Sequence, residues 1–163
     1  MALFAFPNPV NEKAARSVAA GVAGLAALTL ITGWHVIIAV MALGFLARVL
    51  CGPRFSILGQ LATRVAAPRL GLPRFVPGPP KRFAQAIGLT LTTVAAVGSL
   101  GFGLTTLGTA LIAVLLVFAV LESAFGFCAG CWLFAQLMQV GLIPAETCEA
   151  CANIWSREPL RTP

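Results

Sequence analysis

Five cysteines are many for a chain of 163 residues, and four of them come in pairs. Cys128-Ala129-Gly130-Cys131 is one Cys-x-x-Cys, Cys148-Glu149-Ala150-Cys151 is a second, and Cys51 stands alone. Residues i and i+3 of a helix share a face, so each pair can close a disulfide or pass a persulfide. A nearby arginine or a helix N-terminus would raise the thiolate fraction that such chemistry needs. Three readings stay open for Cys128, Cys131, Cys148 and Cys151. The first is dithiol redox or sulfane-sulfur transfer. The second is a structural zinc site: C-x2-C-x16-C-x2-C falls in the spacing range of four-thiolate zinc, although the intervening segment is an apolar helix rather than a ribbon. The third is no chemistry, with small polarizable residues packing near a membrane interface. Cys51 reads either as functional or as a small apolar residue.

Glu122 is the one acidic residue inside an apolar span. A carboxylate in that setting is costly and marks a functional candidate by default. It precedes Cys128 on the same apolar stretch, so it is expected either to pair with Arg48 or to handle protons for the thiols. His35 is the only histidine, and it sits at the far end of the predicted spans from the cysteines, where it cannot complete a site with them. There is no Gly-rich phosphate loop and no Ser/His/Asp set. Cys128-Ala-Gly-Cys131-Trp132 lacks the histidine of a c-type haem site. These absences argue against a hydrolase or a nucleotide enzyme.

The elements that must position these residues are membrane helices. Hydrophobic residues make up 59% of the chain and charged residues only 10%, with a mean hydropathy of +0.94. A soluble domain carries about 25% charged residues to solvate its surface, so most of this surface faces lipid. The expected fold is an all-α membrane protein, a single domain of four transmembrane helices in two hairpins over about 17–32, 34–50, 83–103 and 107–127. Thr32-Gly33 and Gly101-Phe102-Gly103 supply the uncharged turns. Lys13 and Arg16 precede the first span like a signal-peptide n-region, but no small-residue cleavage site follows, so the span is read as retained. Residues 55–67 form an amphipathic interfacial helix, with Ile57, Leu58, Leu61 and Val65 at helical spacing. Pro68, Pro73, Pro77, Pro79 and Pro80 then impose an extended Pro-rich connector. Residues 128–163 form a Cys-containing tail. Whether the fourth helix stops near Phe127 or runs on to Val140 decides whether the first cysteine pair lies in water or in lipid.

Net charge is +6, from 11 Lys and Arg against 5 Asp and Glu. All the basic residues flank spans on one side: Lys13 and Arg16, then Arg48 to Arg82, then Arg157 and Arg161. The positive-inside rule makes that side cytoplasmic, with both termini and all five cysteines there, in a plasma membrane. The positive charge therefore meets lipid head groups rather than nucleic acid. In a reducing cytoplasm the cysteines are expected to rest as thiols. The small-residue face Ala20-x-x-x-Gly24 permits close helix packing within the chain or in a homo-oligomer.

Asn8-Pro9-x-Asn11-x-x-x-x-Arg16, Cys51-Gly52-Pro53-Arg54-Phe55-Ser56 and Phe127-Cys128-x-Gly130-Cys131 together resemble the DUF4395 family, uncharacterised membrane proteins of bacteria and archaea, over roughly Asn8 to Cys151. The resemblance implies an integral membrane protein and points to a thioredoxin-like or sulfurtransferase partner. A looser, architectural similarity is to quinone-linked disulfide-forming membrane proteins of the vitamin K epoxide reductase type. Those face their dithiols to the oxidising side, whereas the charges here place them inside. The expected function is a thiol–disulfide or sulfane-sulfur relay using Cys128, Cys131, Cys148, Cys151 and Glu122, with a quinone as a candidate cofactor. The alternatives are a non-enzymatic membrane subunit with structural zinc and a small oligomeric transporter of a sulfur compound or metal.

Overall fold

The computed structural model describes residues 7–148 and residue 151; Arg157 and Arg161 lie outside the described residues. Helix α1 (Glu12–Thr32) starts where Asn11 Oδ1 accepts the Lys13 N–H at 3.0 Å, with Glu12 favourably placed in the first turn. Gly33, in the left-handed region, ends it. Helix α2 (Val36–Cys51) follows and gives way to a 3-10 turn at Gly52–Phe55. Helix α3 covers 57–69 and is capped by Ser56, whose Oγ accepts the Gly59 N–H. Helix α4 (Gly78–Gly101), helix α5 (Thr105–Phe125) and the shorter α6 (Ala129–Gln139) complete the order.

Four stretches are long and apolar enough to cross a membrane: α1, the α2–α3 run, α4 and α5, with mean hydropathy from 1.5 to 2.3. The chain is a helical, multi-pass membrane protein. Its helices form a ring in which α1 packs on α5, α5 on α4 and α4 on α2, while α1 and α2 touch lightly. The core is built from single stripes. Val18, Val22 and Ala26 of α1 meet Ile38, Met41 and Phe45 of α2 and Ile112, Leu115 and Ala119 of α5. Each set advances by three or four residues at a time, which puts apolar side chains on one helix face. Apolar residues such as Ile31, Leu43 and Val117 face outward, where a soluble protein would carry charge.

Two features of the connector differ from expectation. The extended segment is short, because α4 begins at Gly78 with Pro79 and Pro80 in its first turn rather than at Phe83. The first-turn N–H groups have no helical acceptor, so proline costs nothing there. The strap that remains pairs with the N-terminal segment as a two-stranded antiparallel ribbon, β1 (Val10–Asn11) with β2 (Phe75–Val76). The Gly78 N–H also donates to Asn8 Oδ1 at 3.0 Å. In α3, Leu58 and Ala62 face the bundle, whereas Ile57, 87% exposed, and Leu61 face away. The apolar surface of α3 is therefore two-sided.

Candidate functional site

Helix α5 stops at Phe125. Its last turn, Leu121–Phe125, is wound as a π-helix and contains Glu122; Gly126 then adopts φ 70°, the left-handed conformation that glycine enters without a Cβ penalty. Arg16 secures this end. Its Nη2 donates to Ser123 O at 3.0 Å and Ala124 O at 2.9 Å, satisfying carbonyls that the helix leaves unpaired. The chain restarts as α6 with Cys128 as its N-cap, and Cys128 Sγ accepts the Cys131 N–H at 3.3 Å. The first cysteine pair thus lies in a break between two helices, not on a continuation of the fourth.

Cys128 is buried, Cys131 is partly buried, and both are free thiols with their sulfurs 2.6 Å apart. The Cys131 thiol donates to Cys128 Sγ and holds Cys128 below the ordinary thiol range, against the opposing effects of burial and the Glu122 carboxylate and with help from the Lys81 ammonium. The same bond, together with burial, pushes Cys131 up. The two thiols are therefore unequal, with the proton favoured on Cys131.

Glu122 pairs with Lys81, not with Arg48. Lys81 Nζ donates to Glu122 Oε1 at 2.7 Å, and the two side chains are only 10% and 15% exposed. Arg48 instead donates to Gln85 Oε1 at 2.8 Å and Ser56 Oγ at 2.9 Å, with its guanidinium 4.4 Å from the Phe45 ring centroid. Arg48 sits one helix away, on α2, whereas Lys81 begins the helix that packs directly on α5. Neighbouring charge is supplied by Glu12, whose Oε2 lies 3.0 Å from Arg74 Nε.

Cys148 and Cys151 form a disulfide, with Cα atoms 5.2 Å apart. This corrects the expectation that all five cysteines rest as thiols. That separation lies in the range a disulfide bridges. A cavity of about 400 Å³ brings the pairs together, lined by Cys128, Cys131 and Cys151 with Lys81, Glu12 and Trp132. With one pair closed, the four sulfurs do not make a thiolate cage. No group of three or more His, Cys, Asp or Glu among the described residues could hold a metal. Cys51 ends α2 and lines neither this cavity nor the apolar one described below. His35 lies in the α1–α2 turn at the far end of the bundle.

A family model, "Domain of unknown function (DUF4395)", matches residues 10–139. The chain belongs to the DUF4395 family. Comparison with curated proteins and with solved structures gives no match. The matched region of this DUF4395 chain contains Cys51, Cys128 and Cys131, and leaves Cys148 and Cys151 beyond its end.

Four of the motif residues that carried the resemblance are fasteners. Asn8 ties the N-terminal segment to α4, Asn11 caps α1, Arg16 caps α5, and Ser56 caps α3 while accepting from Arg48. Lys81 and Gln85 were the residues that sequence reasoning passed over, because Lys81 reads as one more topology charge beside Arg82. The signal was present: Lys81, Gln85 and Gly88 recur at i, i+4, i+7 and share the inner face of α4.

Gly130 lies where α6 presses on α4. A Cβ there would sit 2.6 Å from both Cα and Cβ of Ala84, closer than real Cβ atoms approach. Gly130→Leu is expected to lift the start of α6 off Lys81 and expose Cys128. A several-fold faster alkylation of Cys128 in detergent, read by mass spectrometry, is the expected result. An unchanged rate would mean that this contact does not hold the pair in place.

Proposed function

We propose that this protein is a membrane thiol–disulfide relay that exchanges electrons between the Cys128/Cys131 dithiol and the Cys148/Cys151 disulfide. The observation that supports it is the shared cavity: two free thiols with their sulfurs 2.6 Å apart and one sulfur of a closed disulfide line the same walls. The Cys128 thiolate attacks Cys151 Sγ, forming a Cys128–Cys151 bond and releasing Cys148 as a thiolate that takes up a proton. Cys131, after losing its proton, attacks Cys128 Sγ and releases Cys151. One disulfide forms, one breaks, and two protons pass from one pair to the other. Lys81 compensates the Cys128 thiolate, and Glu122 orients Lys81 and takes part in proton handling.

The one-sided distribution of Lys and Arg supports a cytoplasmic placement of this end in a plasma membrane. A thioredoxin-like or sulfurtransferase protein would then meet the tail pair. The double variant Cys131→Ser/Cys148→Ser removes both resolving sulfurs and tests the reading. The expected result, after mild oxidation of the remaining thiols with diamide, is a Cys128–Cys151 disulfide, identified in membranes by peptide mass spectrometry. Absence of that linkage, or an equal yield of Cys51 linkages, would refute the exchange.

A further inference from the structure

Cys128 also lines a second cavity, of about 450 Å³, inside the helix ring. Its walls are apolar: Val18 and Val22 from α1, Phe45 from α2, Leu91 from α4, and Leu115 and Ala119 from α5. Among the described residues, polar side chains enter it as Gln85, Glu122, the Cys128 thiol and the Trp132 indole. Cys128 therefore stands between this cavity and the one that holds Cys151.

We infer that the apolar cavity binds a lipid-soluble quinone, which accepts the electrons of the Cys128/Cys131 dithiol. The inference rests on the thiol relay proposed above, run in the direction in which a reduced Cys148/Cys151 pair re-reduces Cys128–Cys131, and adds its terminal acceptor. Closing a dithiol releases two electrons and two protons, so the relay needs a two-electron acceptor. Among the described residues no Lys or Arg lines the cavity, so none of them would neutralise the phosphates of a nicotinamide or flavin nucleotide. A neutral, apolar acceptor suits it, and the volume falls in the range of small-molecule sites, about 300–1,000 Å³. Phe127 and Trp132, 47% and 56% exposed, line it and reach the outer surface of an apolar bundle, which gives a bilayer ligand a way in.

The polar end suits a ring carbonyl. Arg48 holds Gln85 by its Oε1 at 2.8 Å, which leaves the Gln85 amide N–H groups to donate. Two S–H bonds break and one S–S bond forms between Cys128 and Cys131. The quinone takes two electrons and two protons, and its carbonyls become hydroxyls.

The test uses the full chain in lipid nanodiscs with a decyl-benzoquinone. Binding is measured in the Cys128→Ser/Cys131→Ser variant, where no thiol of this pair can react. Saturable quenching of tryptophan fluorescence, weakened roughly tenfold or more by Ala119→Phe, is expected. Oxidation is measured in the reduced wild type, where the quinone should close Cys128–Cys131 with one hydroquinone formed per disulfide. Ala119→Phe should slow that step to a similar degree. If Ala119→Phe does not fold, Ala19→Leu fills the cavity from the opposite wall and replaces it.

Absence of saturable binding, binding that leaves the thiols open, or an oxidation rate untouched by the filled cavity would each overturn the inference. The mixed-disulfide trap contains no quinone and judges the relay separately. A trapped Cys128–Cys151 bond without quinone binding would remove the acceptor and leave the exchange standing.

Discussion

Lys81→Met is expected to destabilise the protein by about 3–5 kcal/mol, because it leaves the Glu122 carboxylate buried without its cation. Glu122→Leu should cost a similar amount by stranding the Lys81 ammonium. The pair lies at 2.7 Å with both side chains largely shielded, so neither charge can turn to water when its partner is lost. The double variant Lys81→Met/Glu122→Leu should recover most of the loss, since removing both charges together abolishes the desolvation cost as well as the attraction. Thermal unfolding in detergent, followed for the wild type, both single variants and the double variant, gives the coupling directly. Single variants that unfold like the wild type would show that the pair is solvated or re-partnered. Lys81→Met alone should also slow alkylation of Cys128, because the ammonium that favours its thiolate is gone while the Glu122 carboxylate that opposes it remains.

Cys131→Ala is expected to shift the alkylation profile of Cys128 to higher pH, whereas Cys131→Ser should shift it far less. The Cys131 thiol donates the hydrogen bond that holds Cys128 below the ordinary thiol range. Alanine removes the donor, and serine keeps an O–H in its place. A lowered pKa means that the thiolate appears at lower pH, so losing the donor delays it. Below the pKa, each unit changes the thiolate fraction tenfold, partly offset by the greater nucleophilicity of a more basic thiolate. The rate at neutral pH should fall by about three- to tenfold in Cys131→Ala. Iodoacetamide rates between pH 5 and 9, resolved by peptide mass spectrometry, provide the measurement. Coincident profiles for the alanine variant and the wild type would mean that Cys131 does not activate Cys128.

Both results bear on how far the primary structure could be read. Composition alone determined a helical, multi-pass membrane protein, because a chain with so few charges cannot solvate a globular surface. The uncharged turns at Gly33 and Gly103 and the clustering of Lys and Arg near the other helix ends were legible for the same reason: lipid penalises charge at every position it touches. The caps at Asn11 and Ser56 are local signals carried by the side chains themselves. The start of α4 was not legible, since Pro79 and Pro80 argue against a helix everywhere except its first turn.

The site itself was half legible. Spacing singled out Cys128, Cys131, Cys148 and Cys151 as pairs, and burial cost singled out Glu122. Which residues these would meet was decided only by packing. Glu122 has several cations within reach along the chain, and the docking of α4 on α5 selects Lys81, leaving Arg48 to Gln85 and Ser56. The break at Gly126 depends on Arg16 arriving from α1 to satisfy the end of α5, a contact between residues more than a hundred positions apart. The cavity shared by Cys128, Cys131 and Cys151 likewise exists only because Gly130 lets α6 close onto α4. Residue types fix what a position can do chemically, but partners are chosen by distance in space, and distance in this molecule is set by which helices pack.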